Sequence, residues 1–193
     1  MLKFLKSNGK KVFLDLKLQD IPNTVAKSLA VLTGLGADIM NVHAVGGAKM
    51  MREAVASVHA EAQRLNIECP KLIAVTVLTS MDDEQWAQLN YAKPIAEEVV
   101  DLAKLAKASG MEGVVASPQE AAAIRQACGP EFLIVTPGVR PQGSATNDQS
   151  RIATPSGALK NGASHLVIGR PITKAENKKV AVENILAEIR GAK

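Results

Sequence analysis

The sequence predicts an α/β fold built on parallel strands, and three observations carry that prediction. Short apolar runs rich in β-branched residues alternate with segments of helical period. Each run gives way to a polar or glycine turn before the next helix. The runs are apolar almost throughout rather than at every second residue, as in strands covered by helices on both faces.

Strands are predicted over 12–16, 39–43, 72–78, 113–116, 132–135 and 165–168. Helices are predicted over 22–35, 47–65, 95–108, 119–127, 155–161 and 178–190. Asp20-Ile-Pro-Asn opens the first helix with Pro22 in its first turn, and Ser117-Pro118 opens the fourth. Gly36, Gly110 and Gly162 stand where helices must stop. No linker or low-complexity stretch interrupts the pattern, so residues 1–193 read as a single domain.

Composition narrows the function classes. The chain has 193 residues, 47% of them apolar, which is enough for a sizeable core. Its formal charge is +4, but lysines and arginines are spread along the chain without interleaved aromatics. That argues against a nucleic-acid surface and leaves an anionic small ligand open. Cys69 and Cys128 lack metal or redox spacing and read as buried structural thiols. No apolar run approaches the ~18 residues of a membrane span. The start, MLKFLKSNGKK, has no signal-peptide core, and a soluble cytoplasmic protein is expected.

Two architectures accommodate six βα units: an open doubly wound sheet or a TIM-type (β/α)8 barrel. No GxGxxG turn follows the first strand. Polar residues instead end nearly every strand: Asp15 and Lys17, His43, Thr79 and Ser80, Ser117, Thr136 and Arg140, Gly169 and Arg170. Many strands contributing to one face is the barrel-enzyme pattern. A barrel has eight strands, and this chain supplies six.

The stretch VFLDLKLQDIPNT sets Asp15, Lys17 and Asp20 in and just after an apolar run. Strand alternation sends Asp15 and Lys17 to the same side. An internal ion pair is one reading, although desolvation makes such pairs poor stabilisers. The other is a Lys held protonated among carboxylates, able to deliver a proton to a developing carbanion. Two later segments suggest a phosphate. TPGVRPQG (136–143) follows the fifth strand and VIGRP (167–171) the sixth, where barrels often bind phosphate. Gly169 allows close backbone approach and Arg170 offers a bidentate donor.

FLDLKLQDIPNT, NVHAVGG, VTVLTS, TPGVRPQG with DQ, and VIGRP, in this order, resemble orotidine 5′-monophosphate decarboxylase of the bacterial type. The likeness runs from about residue 11 to the C-terminal helix. It implies that Lys17 is the proton donor to C6 of the pyrimidine and that Asp15 lies against the leaving carboxylate. It implies that Asp20 and Thr24 reach into a partner subunit's site, making the active unit a homodimer. Thr79 and Ser80 match the loop near the pyrimidine ring. Arg140, Gln149, Gly169 and Arg170 match the phosphate grip, with Gln149 on a lid. The reaction implied needs no cofactor and no metal. A metal-dependent sugar-phosphate decarboxylase or aldolase of the same superfamily shares a DxKxxD strand and stays open, as does an inactive phosphate-binding remnant.

The remaining candidates have plainer readings. His43 reads as a hydrogen-bonded histidine behind the site, His59 as solvated and His165 as packing. Met50-Met51 reads as core, Trp86 as surface cover, and Ser117 has no base in a recognisable motif. Set against the resemblance, the six units correspond to the third to eighth of the barrel. The first strand, first helix and second strand are then expected to be missing from these 193 residues. With them would go an acidic residue for the ribose and a second lysine. The expectation is a piece of a chain about 40 residues longer, poorly soluble and inactive by itself.

Overall fold

All six predicted strands and all six predicted helices are present. The structure, a computed structural model, describes residues 1–141 and 153–191. In chain order the elements are α1 (Leu2–Ser7), β1 (Phe13–Leu18), α2 (Pro22–Thr33), β2 (Ile39–His43), α3 (Gly47–Leu65), β3 (Lys71–Val75), α4 (Asp83–Ala87) and α5 (Ile95–Ala108). They continue as β4 (Gly113–Val115), α6 (Ala121–Cys128), β5 (Leu133–Thr136), α7 (Pro155–Lys160), β6 (His165–Leu166), α8 (Arg170–Thr173) and α9 (Lys178–Arg190).

The strands form one parallel sheet in the order β1-β2-β3-β4-β5-β6. A doubly wound sheet reverses its order at a switch point, whereas barrel strands follow the chain. Strict chain order therefore decides between the two candidate architectures in favour of the barrel class. The chain divides into two compact units, one of Met1–Thr76 with Leu102–Val114, the other of Val77–Asp101 with Val115–Lys193.

In the first unit, Pro22 occupies the first turn of α2, where its missing N–H costs nothing. α2 buries Val25, Leu29 and Thr33, and α3 buries Met50, Met51, Ala54, Val58 and Ala62. The two helices pack together, and Ser57 Oγ donates to the Ala26 carbonyl at 2.8 Å. The core role expected of Met50 and Met51 holds, and His59 is exposed as expected. β2 and β3 lie in register from Ile39↔Lys71 to His43↔Val75, with Met40, Asn41 and Val42 buried. The Lys6 ammonium bonds both Asp38 oxygens at 2.8 Å and ties α1 to the turn before β2. Burial alone would raise the Asp38 pKa. Lys6 and the Val12 N–H outweigh it and hold the carboxyl below its usual range.

In the second unit, Asp82 caps α4 by accepting from the Gln85 N–H at 2.9 Å. Trp86 corrects its expected place as surface cover. It is buried, stacked on Tyr91 at 4.2 Å, and its Nε1 donates to the Lys93 carbonyl at 2.8 Å. Satisfying the indole N–H is what permits that burial. Arg125 of α6 donates to the carbonyls of Gly129, Pro130, Phe132 and Gly162, pinning the turns on either side of β5. Val139, Ala158 and Ala163 form a small core with Ala153, Leu166 and Ile168 against it.

Several bounds differ from prediction. The fourth predicted helix, α6, starts at Ala121 rather than Gln119, because Ser117-Pro118 first makes a turn in which Ser117 Oγ accepts from the Gln119 N–H at 3.3 Å. β3 stops at Val75, although Val77 is buried, so its apolar character reflects packing rather than strand pairing. α2 ends at Thr33, and Gly36, with φ +81°, turns the chain towards β2. Cys128 is buried as expected, but Cys69 is only half-buried. His165 is exposed and bonds Ser164 Oγ at 3.0 Å instead of packing.

Candidate active site

β1 does not run straight into its charged residues. Its register against β2 shifts between Leu14 and Leu18, and Lys17 takes φ +51°. The left-handed region is unfavourable for a side chain with a Cβ, by roughly 1 kcal/mol or more. Something must hold Lys17 there. Its N–H donates to Asn41 Oδ1 at 2.8 Å. Asn41 Nδ2 in turn donates to Asp15 Oδ1 at 2.6 Å, and Lys17 Nζ donates to both Asp15 oxygens at 2.7 Å. The result is a closed ring of three residues from two neighbouring strands, joined through the Lys17 backbone N–H and the three side chains.

The pairing agrees with the expectation that Asp15 and Lys17 share a side: residues two apart on a regular strand are separated by about 6.6 Å along it, a span that a lysine side chain bridges. The irregular stretch of β1 and the left-handed Lys17 accompany the close contact. The pair is not an internal one. The side chains of Lys17 and Asp15 are 38% and 44% exposed, whereas Asn41 is 1% exposed. The foot of the ring is buried and its charged heads are open.

His43 ends β2 and is half-buried. Burial lowers its pKa, the Lys17 charge lowers it further, and Asp15 offsets part of the effect. Asp20 is exposed, and its Oδ1 accepts from the Ile21 N–H at 2.6 Å. Thr24 is exposed on the first turn of α2. Asn41 is the residue that sequence reasoning missed. Its signal was present: an amide inside the otherwise apolar run IMNVH, where a polar group must find partners if it is buried.

The second unit holds the residues assigned to the pyrimidine loop and the phosphate. Thr79 is buried and Ser80 exposed, in the turn after β3. Arg140 is 7% exposed; its N–H donates to the Ala153 carbonyl at 2.9 Å and its Nη1 to the Val139 carbonyl at 3.0 Å. Among the described residues, Arg140 Nε and Thr136 Oγ1 are buried polar atoms without a hydrogen-bond partner. Gly169 precedes α8 and Arg170 begins it. A Cβ on Gly169 would meet nothing within 4 Å. Gln149 lies outside the described residues.

Comparison with known proteins gives the family. Residues 1–185 match the family described as orotidine 5′-phosphate decarboxylase / HUMPS. The orotidine 5′-phosphate decarboxylase of Moorella thermoacetica is 52% identical over 189 residues, covering 97% of this chain and 75% of that protein. That of Trichlorobacter lovleyi is 52% identical over 185 residues, covering 96% and 76%. The crystal structure of orotidine 5′-phosphate decarboxylase from Lactobacillus acidophilus superposes with a TM-score of 0.85 at 42% identity, covering 97% of this chain and 79% of that one. The strand order and these likenesses give a TIM-type α/β fold of six βα units. By sequence match and by structure, the chain belongs to the orotidine 5′-phosphate decarboxylase / HUMPS family.

Proposed function

We propose that this protein decarboxylates orotidine 5′-monophosphate to uridine 5′-monophosphate, the last step of de novo pyrimidine synthesis, in the cytoplasm. The observation that carries the reading is the Asp15–Lys17–Asn41 ring, two of whose members, Asp15 and Lys17, lie within a stretch highly specific to the family. The C6–carboxylate bond breaks, CO₂ leaves, and the electron pair stays on C6. Lys17 Nζ offsets that charge and then delivers a proton to C6, regaining its own from solvent. Asp15 aims the ammonium through both of its carboxylate oxygens. Arg140, Gln149, Gly169 and Arg170 are the residues proposed for the phosphate, whose remote binding energy is expressed in the transition state. The unsatisfied Arg140 Nε supports that role. The family description spans two names, and the relatives cited above carry only the first.

The test uses the protein produced from its whole reading frame. Lys17→Ala is expected to abolish turnover, by 10⁴-fold or more on the order-of-magnitude scale of a lost proton donor and charge, while uridine 5′-monophosphate still binds. Substantial residual turnover would reject the assignment of Lys17.

We further propose a single domain acting in a homodimer with shared sites. Asp20 and Thr24 support it, both exposed just past β1 where the chain enters α2. Mixing Lys17→Ala with Asp20→Ala protein should restore activity, since one site of a mixed dimer carries neither change. No recovery after demonstrated subunit exchange would count against sharing.

A further inference from the structure

We propose that Asn41 is a positioning residue for this reaction: it fixes both the backbone of the proton donor and the carboxylate that aims it. The inference rests on the proposed decarboxylase reading, but its geometric half does not.

Three observations carry it. Both polar ends of the Asn41 side chain bond Asp15 and Lys17, at 2.6 and 2.8 Å. Their roles are unambiguous. The Lys17 backbone N–H can only donate, so the amide oxygen must face it and the Nδ2 must face Asp15. Second, Asn41 is 1% exposed on a strand paired on both sides, whereas its two partners are half open. The fixed member therefore orients the exposed ones. Third, Lys17 sits at φ +51°, a conformation that needs an external hold, and the bond to Asn41 Oδ1 is made by the amide of that residue. Asp15 Oδ1 receives Asn41 and Lys17 together. When the ammonium gives up its proton, Asn41 still holds that oxygen. Neither Asp15 nor the Lys17 backbone need reorganise during the transfer.

A merely structural asparagine would satisfy a buried strand and nothing more. Two near-isosteric variants separate the roles. Asn41→Asp keeps an acceptor for the Lys17 N–H but replaces the donor to Asp15 with a second carboxylate. Asn41→Leu removes both bonds. Backbone amide exchange by NMR reads the first bond without any need for turnover. In the parent, the Lys17 amide should exchange at least about tenfold more slowly than an unstructured peptide. Protection should persist in Asn41→Asp and be lost in Asn41→Leu. In steady-state decarboxylation, Asn41→Asp should lower kcat by about 100-fold, with KM within about threefold, because geometry rather than binding is lost.

An unprotected Lys17 amide in the parent overturns the proposal even if neither variant folds. So does an Asn41→Leu protein with Lys17 still protected, or an Asn41→Asp protein with near-parental kcat. A parent with a protected Lys17 amide and no turnover would instead overturn the decarboxylase reading, and with it the catalytic half, leaving the backbone clamp established.

Discussion

The Lys17 ammonium influences more than Asp15, and His43 reports it. The imidazole is depressed first by burial and then by the Lys17 charge, with Asp15 opposing. Its folded pKa lies below the ordinary 6.5, so the neutral ring is favoured in the native protein. The sign of the linkage follows. Its stabilising contribution is complete above pH 6.5 and is lost as pH falls through the folded value, because the unfolded chain takes up the proton first. NMR titration should place the His43 midpoint below 6.5. Lys17→Ala should raise that midpoint partway, and Asp15→Asn should lower it further. A midpoint indifferent to both substitutions would mean that burial alone sets it. At this scale Lys17, Asp15 and His43 are conspicuous in the sequence, because charged or titratable groups inside apolar runs stand out. It did not reveal Asn41, whose importance comes from which two atoms it meets across a strand pair.

The glycine pair before α3 shows how an element's start is set. Gly46 has helical angles, yet a Cβ there would overlap Met50 Sδ, and Met50 is fully buried. Gly47 has open space around it but φ +85°. The two glycines are therefore required for different reasons, one for packing and one for conformation. Gly46→Ala should destabilise by about 1–3 kcal/mol through overpacking, and Gly47→Ala by about 1 kcal/mol through backbone strain. Urea unfolding midpoints at unchanged slope would measure both. A neutral Gly46→Ala would show that Met50 has somewhere to go. Helix existence was legible from period and caps, whereas several ends were not. The fourth predicted helix, α6, began two residues late because the Ser117 hydroxyl closed a local turn first.

Across the whole molecule, the sheet begins at β1, and among the described residues β1 pairs only with β2. Leu16 on that edge strand is 49% exposed, and Phe4 and Ile21 nearby in sequence are exposed as well. An edge with free backbone groups and apolar side chains is a template for association. Met1–Lys193 produced alone is expected to aggregate at micromolar concentration, as followed by light scattering. Leu16→Lys should increase its soluble fraction several-fold, since a lysine on an edge strand blocks further pairing. A monodisperse parent protein would refute the expectation.

What the sequence by itself determined was the alternation of strands and helices and the family. Strand-ending residues such as Asp15, Lys17, Arg140 and Arg170 also stood out. Each of these is written in period, punctuation or a local run of residues. The tertiary structure bore out the barrel class that the strand ends had indicated, through a strand order that is a property of neighbours rather than of any one strand. It alone put Trp86 inside, by supplying the Lys93 carbonyl that its indole required. It also joined Asp15, Lys17 and Asn41, since a left-handed backbone and a pair of cross-strand hydrogen bonds depend on where β2 lies beside β1.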